Sequence, residues 1–101
     1  MGMGNLAKMA QQMQAEMARA QAELAQLTVE GTAGGGAVKA VATGQQEIVA
    51  IEISPDVVDP EDVEMLQDLV LAAVTDALNQ SRQAAEQRMA RVTGGMKIPG
   101  F

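Results

Sequence analysis

The side chains best equipped for chemistry in this sequence are its cations. Arg82, Arg88, Arg91 and Lys97 fall within the last twenty residues against one carboxylate, Glu86, which gives that end a charge of +3. Lys8 and Arg19 lie in residues 1–46, where they and Lys39 are balanced by Glu16, Glu23 and Glu30. Residues 47–81 hold nine acids and no base. The net charge of −6 opposes a polyanionic partner, yet it is the sum of a −9 middle and a +3 end. Guanidinium and ammonium groups neutralise phosphates, and such contacts give affinity and position without reading bases. Cations at a helix C-terminus also offset the helix dipole. Charge pattern alone leaves both readings open.

Other chemistries lack their reagents. The sequence contains no His and no Cys, so thiolate chemistry, disulfides and the commonest zinc ligands are missing. Ser54 and Ser81 have no imidazole base to activate them. The run Gly31-Thr32-Ala33-Gly34-Gly35-Gly36-Ala37-Val38-Lys39 suggests a phosphate loop, but it lacks the Gly-Lys-Ser/Thr ending and leads into a strand, so it reads as a hairpin turn. Asp56, Asp59, Glu61, Asp62 and Glu64 lack the calcium-loop spacing and read as helix caps and dipole compensation. There is no Tyr or Trp to stack bases. No apolar stretch of about 18 residues and no signal-peptide pattern is found. These features predict a cytoplasmic, non-enzymatic protein with no cofactor, no metal, no small-molecule substrate and no membrane segment.

The elements that must position the cations follow from periodicity. At 101 residues the chain is sized for one domain, residues 1–101. Leu6, Ala10, Met13, Met17, Ala20, Leu24 and Leu27 recur at spacings of three and four, which predicts a helix over 5–26 with Asn5 as its N-cap. Met9, Met13, Met17 and Met65 suit either an adaptable binding surface or a packed seam. Period-two alternation with turns at Gly34-Gly35-Gly36 and Gly44-Gln45 predicts a three-stranded antiparallel β-meander over 27–53. Val49, Ile51 and Ile53 are expected to supply most of its buried face. Asp59 as N-cap and Pro60 at the first helical position predict a second long helix over 60–92, buried in its first half, with an extended tail over 93–101. The fold class is α+β. Its large apolar residues are few and Phe101 is the one aromatic, a thin core of the kind that small domains complete by oligomerising. The stripe Leu66, Leu69, Val70, Ala73, Val74 and Ala77 is the expected homodimer interface.

Several runs stand colinear along nearly the whole chain: Gly4-Asn5-Leu6, Gln11-Gln12-Met13-Gln14, Ala25-Gln26-Leu27, Gly36-Ala37-Val38-Lys39 and Ile51-Glu52-Ile53-Ser54-Pro55, then Met65-Leu66-Gln67-Asp68-Leu69-Val70, Gly94-Gly95-Met96 and Pro99-Gly100-Phe101. Together they resemble the YbaB/EbfC family of bacterial nucleoid-associated proteins. The resemblance implies a helix–meander–helix protomer, a tweezer-like homodimer with projecting helices, and binding to double-stranded DNA in the nucleoid. It implies roles in nucleoid organisation, gene regulation and DNA protection. The family's contacts through helical arms would here fall to Lys8, Arg19, Arg82, Arg88 and Arg91, with Lys97 the remaining cation beyond the second helix. The expected function is therefore a homodimer that contacts duplex DNA with low sequence specificity. The alternative is a prefoldin-like chaperone or protein-binding module that uses exposed helix tips.

Overall fold

A computed structural model describes residues 2–94 in backbone and 4–92 in side chains. The element order is α1 (Gly2–Gln26), β1 (Thr28–Ala33), β2 (Val38–Thr43), β3 (Ile48–Ile53), a short 3-10 turn (Pro55–Val57) and α2 (Val63–Gly94). The three strands form one antiparallel sheet in the order β1-β2-β3. The sequence-based expectation of an α+β helix–meander–helix chain is met.

The core sits where α2 crosses β1 and β2. Gly31 makes that crossing possible. A Cβ at this position would drive into the Ala77 amide nitrogen and the Ala73 carbonyl oxygen, both of them helix backbone. Opposite Gly31 in the ladder stands Ala40, flanked on its own strand by Val38 and Ala42, and all three are fully buried with Ala73 and Ala77. Small residues on both surfaces let helix and strands approach at backbone range. Along β1 the helix also satisfies the sheet edge: the Thr32 amide donates to Asp76 Oδ2 at 3.1 Å.

The buried sheet face is supplied by β2, not by β3 as the sequence pattern suggested. Ile51 and Ile53 pair with Ala40 and Val38 and share their face, yet they remain 44% and 40% exposed because α2 lies over the other two strands. A β-bulge between Val41 and Ala42 lets Ile48 and Ala50 pair while Val49 falls out of register, 54% exposed. The opposite sheet face is solvated, with Lys39 held between Glu30 at 3.7 Å and Glu52 at 3.4 Å.

The helix boundaries also differ from the sequence pattern. α2 starts at Val63, three residues after Pro60, because two aspartates compete as caps. Asp59 Oδ1 accepts from the Glu61 amide and holds a turn, and the true cap is Asp62, whose Oδ1 accepts from the Met65 amide at 3.2 Å. α1 runs back to Gly2, past Asn5. Burial on α2 is centred on Ala73, Ala77 and Ser81 and returns at Val92, so its second half is packed as well. That packing is against the C-terminal half of α1, where Ala20 and Leu24 are buried. Leu6, Met9, Met13 and Met17, on the same seam nearer the N-terminus, are exposed. Lys97 and the rest of 95–101 lie outside the described residues.

The shape follows from the helix lengths. The described chain measures 72 × 24 × 16 Å, with a radius of gyration of 19.7 Å, against about 13 Å for a compact chain of 100 residues. Gly31→Ala forces backbone against backbone, with no flexible side chain to give way. It is expected to cost at least about 3 kcal/mol, the upper end of ordinary overpacking, read as a lowered urea midpoint.

Candidate nucleic-acid interface

The cations are carried on a two-helix arm, and the arm is fixed at its base by the β2–β3 hairpin. The Gly44 amide donates to the Leu24 carbonyl at 2.9 Å and to the Leu27 carbonyl at 3.0 Å, so it satisfies carbonyls that the end of α1 leaves open. Gly44 has no room for a side chain: a Cβ would lie 2.7 Å from the Leu24 oxygen. On α2 the fully buried Ser81 hydroxyl donates to the Thr43 carbonyl and accepts from the Gln46 amide at 3.0 Å. Gln46 adopts φ 64, a left-handed conformation unusual for a residue with a side chain. The turn thus ties α1 to α2 through hydrogen bonds from both sides. Ser81 was not singled out as structural in the sequence, although its spacing of four from Ala77 places it on the buried stripe.

Above this base α1 and α2 run antiparallel. Arg88 reaches across to Glu23, its Nε donating to Oε2 at 2.5 Å, with the arginine side chain only 16% exposed. That hydrogen bond holds the Glu23 carboxyl below its ordinary value, and the charges of Arg88, Arg19 and Arg91 act in the same direction against partial desolvation. The guanidinium of Arg88 is pushed up by the same bond. Beside the pair lies a cleft of about 250 Å³, floored by Leu24, Leu27 and Ala84 and rimmed by Glu23, Arg88 and Arg91.

The remaining cations are distributed around the arm. Arg19 is exposed and pairs with Glu16 on its own helix at 2.7 Å. Lys8 is exposed on the N-terminal part of α1. Eleven residues separate Lys8 from Arg19, and at about 100° per residue they share a face within about 20°. The apolar seam of α1 occupies the other side. On α2, Arg82 and Arg91 are both exposed but nine residues apart, so they point to opposite sides of the helix. Arg82 is hydrogen-bonded to the uncharged Asn79. The arm therefore gathers Arg19, Arg88 and Arg91 at one level and sets Lys8 and Arg82 apart from them.

The stripe expected to form a dimer seam divides in two. Ala73 and Ala77 have no free surface, because β1 and β2 of the same protomer cover them. Leu66, Leu69, Val70 and Val74 are partly exposed. Among the described residues no group of three or more acidic side chains could hold a metal ion, and no helix is long and apolar enough to cross a membrane.

A small sheet crossed by one long helix and continued as a paired-helix arm defines the class of protein. In a search of solved structures the chain matches HP0035, an uncharacterised protein from Helicobacter pylori, with a TM-score of 0.70 at 23% identity, over 95% of this chain and 97% of that one. This likeness shows the fold. Residues 1–96 match the model of the YbaB/EbfC DNA-binding family. A protein from Moorella thermoacetica named "Nucleoid-associated protein" is 58% identical over the full length of both chains. Another, from an Exiguobacterium species and named "Nucleoid-associated protein EAT1b_1710", is 56% identical over 99% of this chain and 98% of its own. The chain belongs to the YbaB/EbfC DNA-binding family.

The Glu23–Arg88 pair makes the arm sensitive to acid. A carboxyl whose value is lowered by folding contributes stability above its unfolded value, and that contribution is lost as the pH falls through the folded one. Glu23→Gln should lower the melting temperature modestly at neutral pH, and the gap between variant and parent should close as the pH falls below 4.5, the carboxyl's ordinary value. Thermal melts by circular dichroism across that range check both parts.

Proposed function

We propose that the protein is a nucleoid-associated, non-enzymatic homodimer that contacts duplex DNA through the cations of its helical arms and alters DNA conformation with little sequence preference. The observation that carries this reading is the placement of Lys8, Arg19, Arg82 and Arg91 as exposed cations on a projecting arm, in a chain of a DNA-binding family. Arginine and lysine along helix flanks suit phosphates, and the described arm offers no aromatic side chain to stack on bases. Residence in the nucleoid agrees with the names of the relatives. Nucleoid organisation, gene regulation and DNA protection are the roles such binding would serve.

Dimer formation is supported by the uncovered apolar surface. Ile51 and Ile53 on β3 extend the helix-bearing sheet face beyond α2, and Leu66, Leu69 and Val70 on α2 are only partly covered. β3 is an outer strand with an apolar face that α2 leaves open. A second copy placed on this side would bury both surfaces and set two arms on one particle. Ile51→Asp should convert the dimer to a 10.5 kDa monomer in sedimentation equilibrium and weaken DNA binding by removing one of two arms.

A second reading, a protein-binding or chaperone-like module, is favoured by one observation: the exposed seam Leu6, Met9, Met13 and Met17 on the N-terminal part of α1. Suppression of a client's aggregation in the absence of DNA binding would support it over the DNA reading.

Four to six phosphate contacts give a log–log salt slope of about −4 to −5. Gel-shift titrations over a salt series should return that slope. Arg82→Gln with Arg91→Gln should weaken binding to unrelated sequences equally and flatten the slope. Absence of binding at low salt overturns the proposal.

A further inference from the structure

The cleft between the arm helices carries one carboxylate of the chain itself, Glu23, on its rim. Glu23 is 53% exposed, yet it receives the Arg88 Nε at 2.5 Å and lies within the fields of Arg19 and Arg91. Glu16, paired with Arg19 at 2.7 Å, is near enough to act on Arg88 as well. Two ion pairs, Glu16–Arg19 within α1 and Glu23–Arg88 between the helices, thus lie near one another, with Arg91 on the rim of the cleft. The space beside them, about 250 Å³, is also lined by the Gln87 side chain, a neutral hydrogen-bonding group.

We propose that this cleft is a phosphodiester-binding site whose resident anion is the Glu23 carboxylate, and that DNA binds there by exchanging one of its phosphates for that carboxylate on Arg88 and Arg91. The proposal rests on the DNA-binding reading above and goes beyond it by assigning a site and a step. A backbone phosphodiester carries the same single charge on two non-bridging oxygens as a carboxylate does on its two, and guanidinium groups bind either in the same bidentate geometry. Apolar Leu24, Leu27 and Ala84 line the cleft beside its charged rim. Arg88, mostly covered, is not a free phosphate hook in the unbound arm. It becomes one when Glu23 swings to solvent. Arg19 undergoes the same exchange against Glu16 in a more exposed setting. Exchange of this kind lowers affinity, because each phosphate contact is made at the expense of an internal ion pair.

The test compares Glu23→Gln with Glu64→Gln in the full chain. Both remove one negative charge, but Glu64 lies in the first turn of α2, away from the arm. With a short duplex of arbitrary sequence at fixed salt, Glu23→Gln should tighten binding about fivefold or more, and Glu64→Gln no more than about twofold, the general effect of net charge. Adding Arg88→Gln to Glu23→Gln should remove the gain. Should Glu23→Gln loosen the arm, Glu16→Gln tests the same cluster without removing a hydrogen bond between the helices, and it should tighten binding in an Arg19-dependent way. Equal effects of Glu23→Gln and Glu64→Gln, or a gain that survives Arg88→Gln, overturn the exchange site while leaving DNA binding intact. Failure of the parent protein and all variants to bind DNA overturns the DNA reading and this site with it.

Discussion

The approach of α2 to β1 at Gly31 is the constraint on which the rest of the structure depends. Helix backbone meets strand backbone there, with Ala73 and Ala77 on one side and Gly31 and Ala40 on the other. Aromatic side chains are almost absent from this chain and many of its larger aliphatic ones lie outside the buried cluster, so the core is not filled by bulk. It is filled by proximity. Dispersion contacts fall off steeply with distance, and a gap of even 0.5–1 Å forfeits about a quarter to a half of each contact. Small residues that let two backbones touch recover those contacts without aromatic volume.

Two consequences follow from where the contact falls. Because α2 is anchored over β1 and β2, it cannot also cover β3, and the isoleucines of β3 stay exposed on the face that elsewhere is buried. And because α2 is a single rod of 32 residues, anchoring it near Ala73 and Ala77 carries its C-terminal half beyond the sheet. α1 meets that half, and the Gly44 amide and the Ser81 hydroxyl, both hydrogen-bonded to the β2–β3 turn and its neighbours, fix the angle at which the pair leaves. One close contact thus sets both the open apolar side and the direction of the cationic arm.

Much of this was legible in the sequence. The three-four spacing from Leu6 to Leu27 and the alternation around Lys39 located α1 and the sheet, and colinear motifs pointed to the family. What was not legible depended on tertiary position. Period two says that Ile51 and Ile53 share a face with each other. It cannot say that a helix stops short of them, and that depends on Gly31, two strands away. Asp59 and Asp62 each satisfy the local requirements of a cap, and the choice between them turns on the preceding loop. Arg88 looked like one more cation in a basic segment. Its spacing of seven from the buried Ser81 places it on the packed face of α2, which is visible only once Ser81 is known to be buried. The site residues were therefore legible as a set, while their division into packed and exposed members was not.

That division bears on how a chain with a net charge of −6 sits within a DNA-binding family. Net charge governs long-range attraction, which salt screens within about 8–10 Å, whereas phosphate contacts are made at the reach of a single side chain. The acids of 47–81 occupy the sheet end, the loop after it and the first half of α2. Lys8, Arg19, Arg88 and Arg91 lie out along the arm, whereas Arg82 stands at its base, within two turns of Asp76 on the same helix. Around Arg19, Arg88 and Arg91 the charges that compete locally are Glu16, Glu23 and Glu86. A remote acidic block limits non-specific adhesion of the body while leaving the arm's local field to its own residues. The arm's pairing of arginines with α1 carboxylates weakens that field, but it also orders the side chains before any ligand arrives. Holding a rotamer-rich side chain in place costs about 0.5–1.5 kcal/mol on binding. For Arg88, wedged between helices and already aimed at an anion, most of that cost has been met in folding.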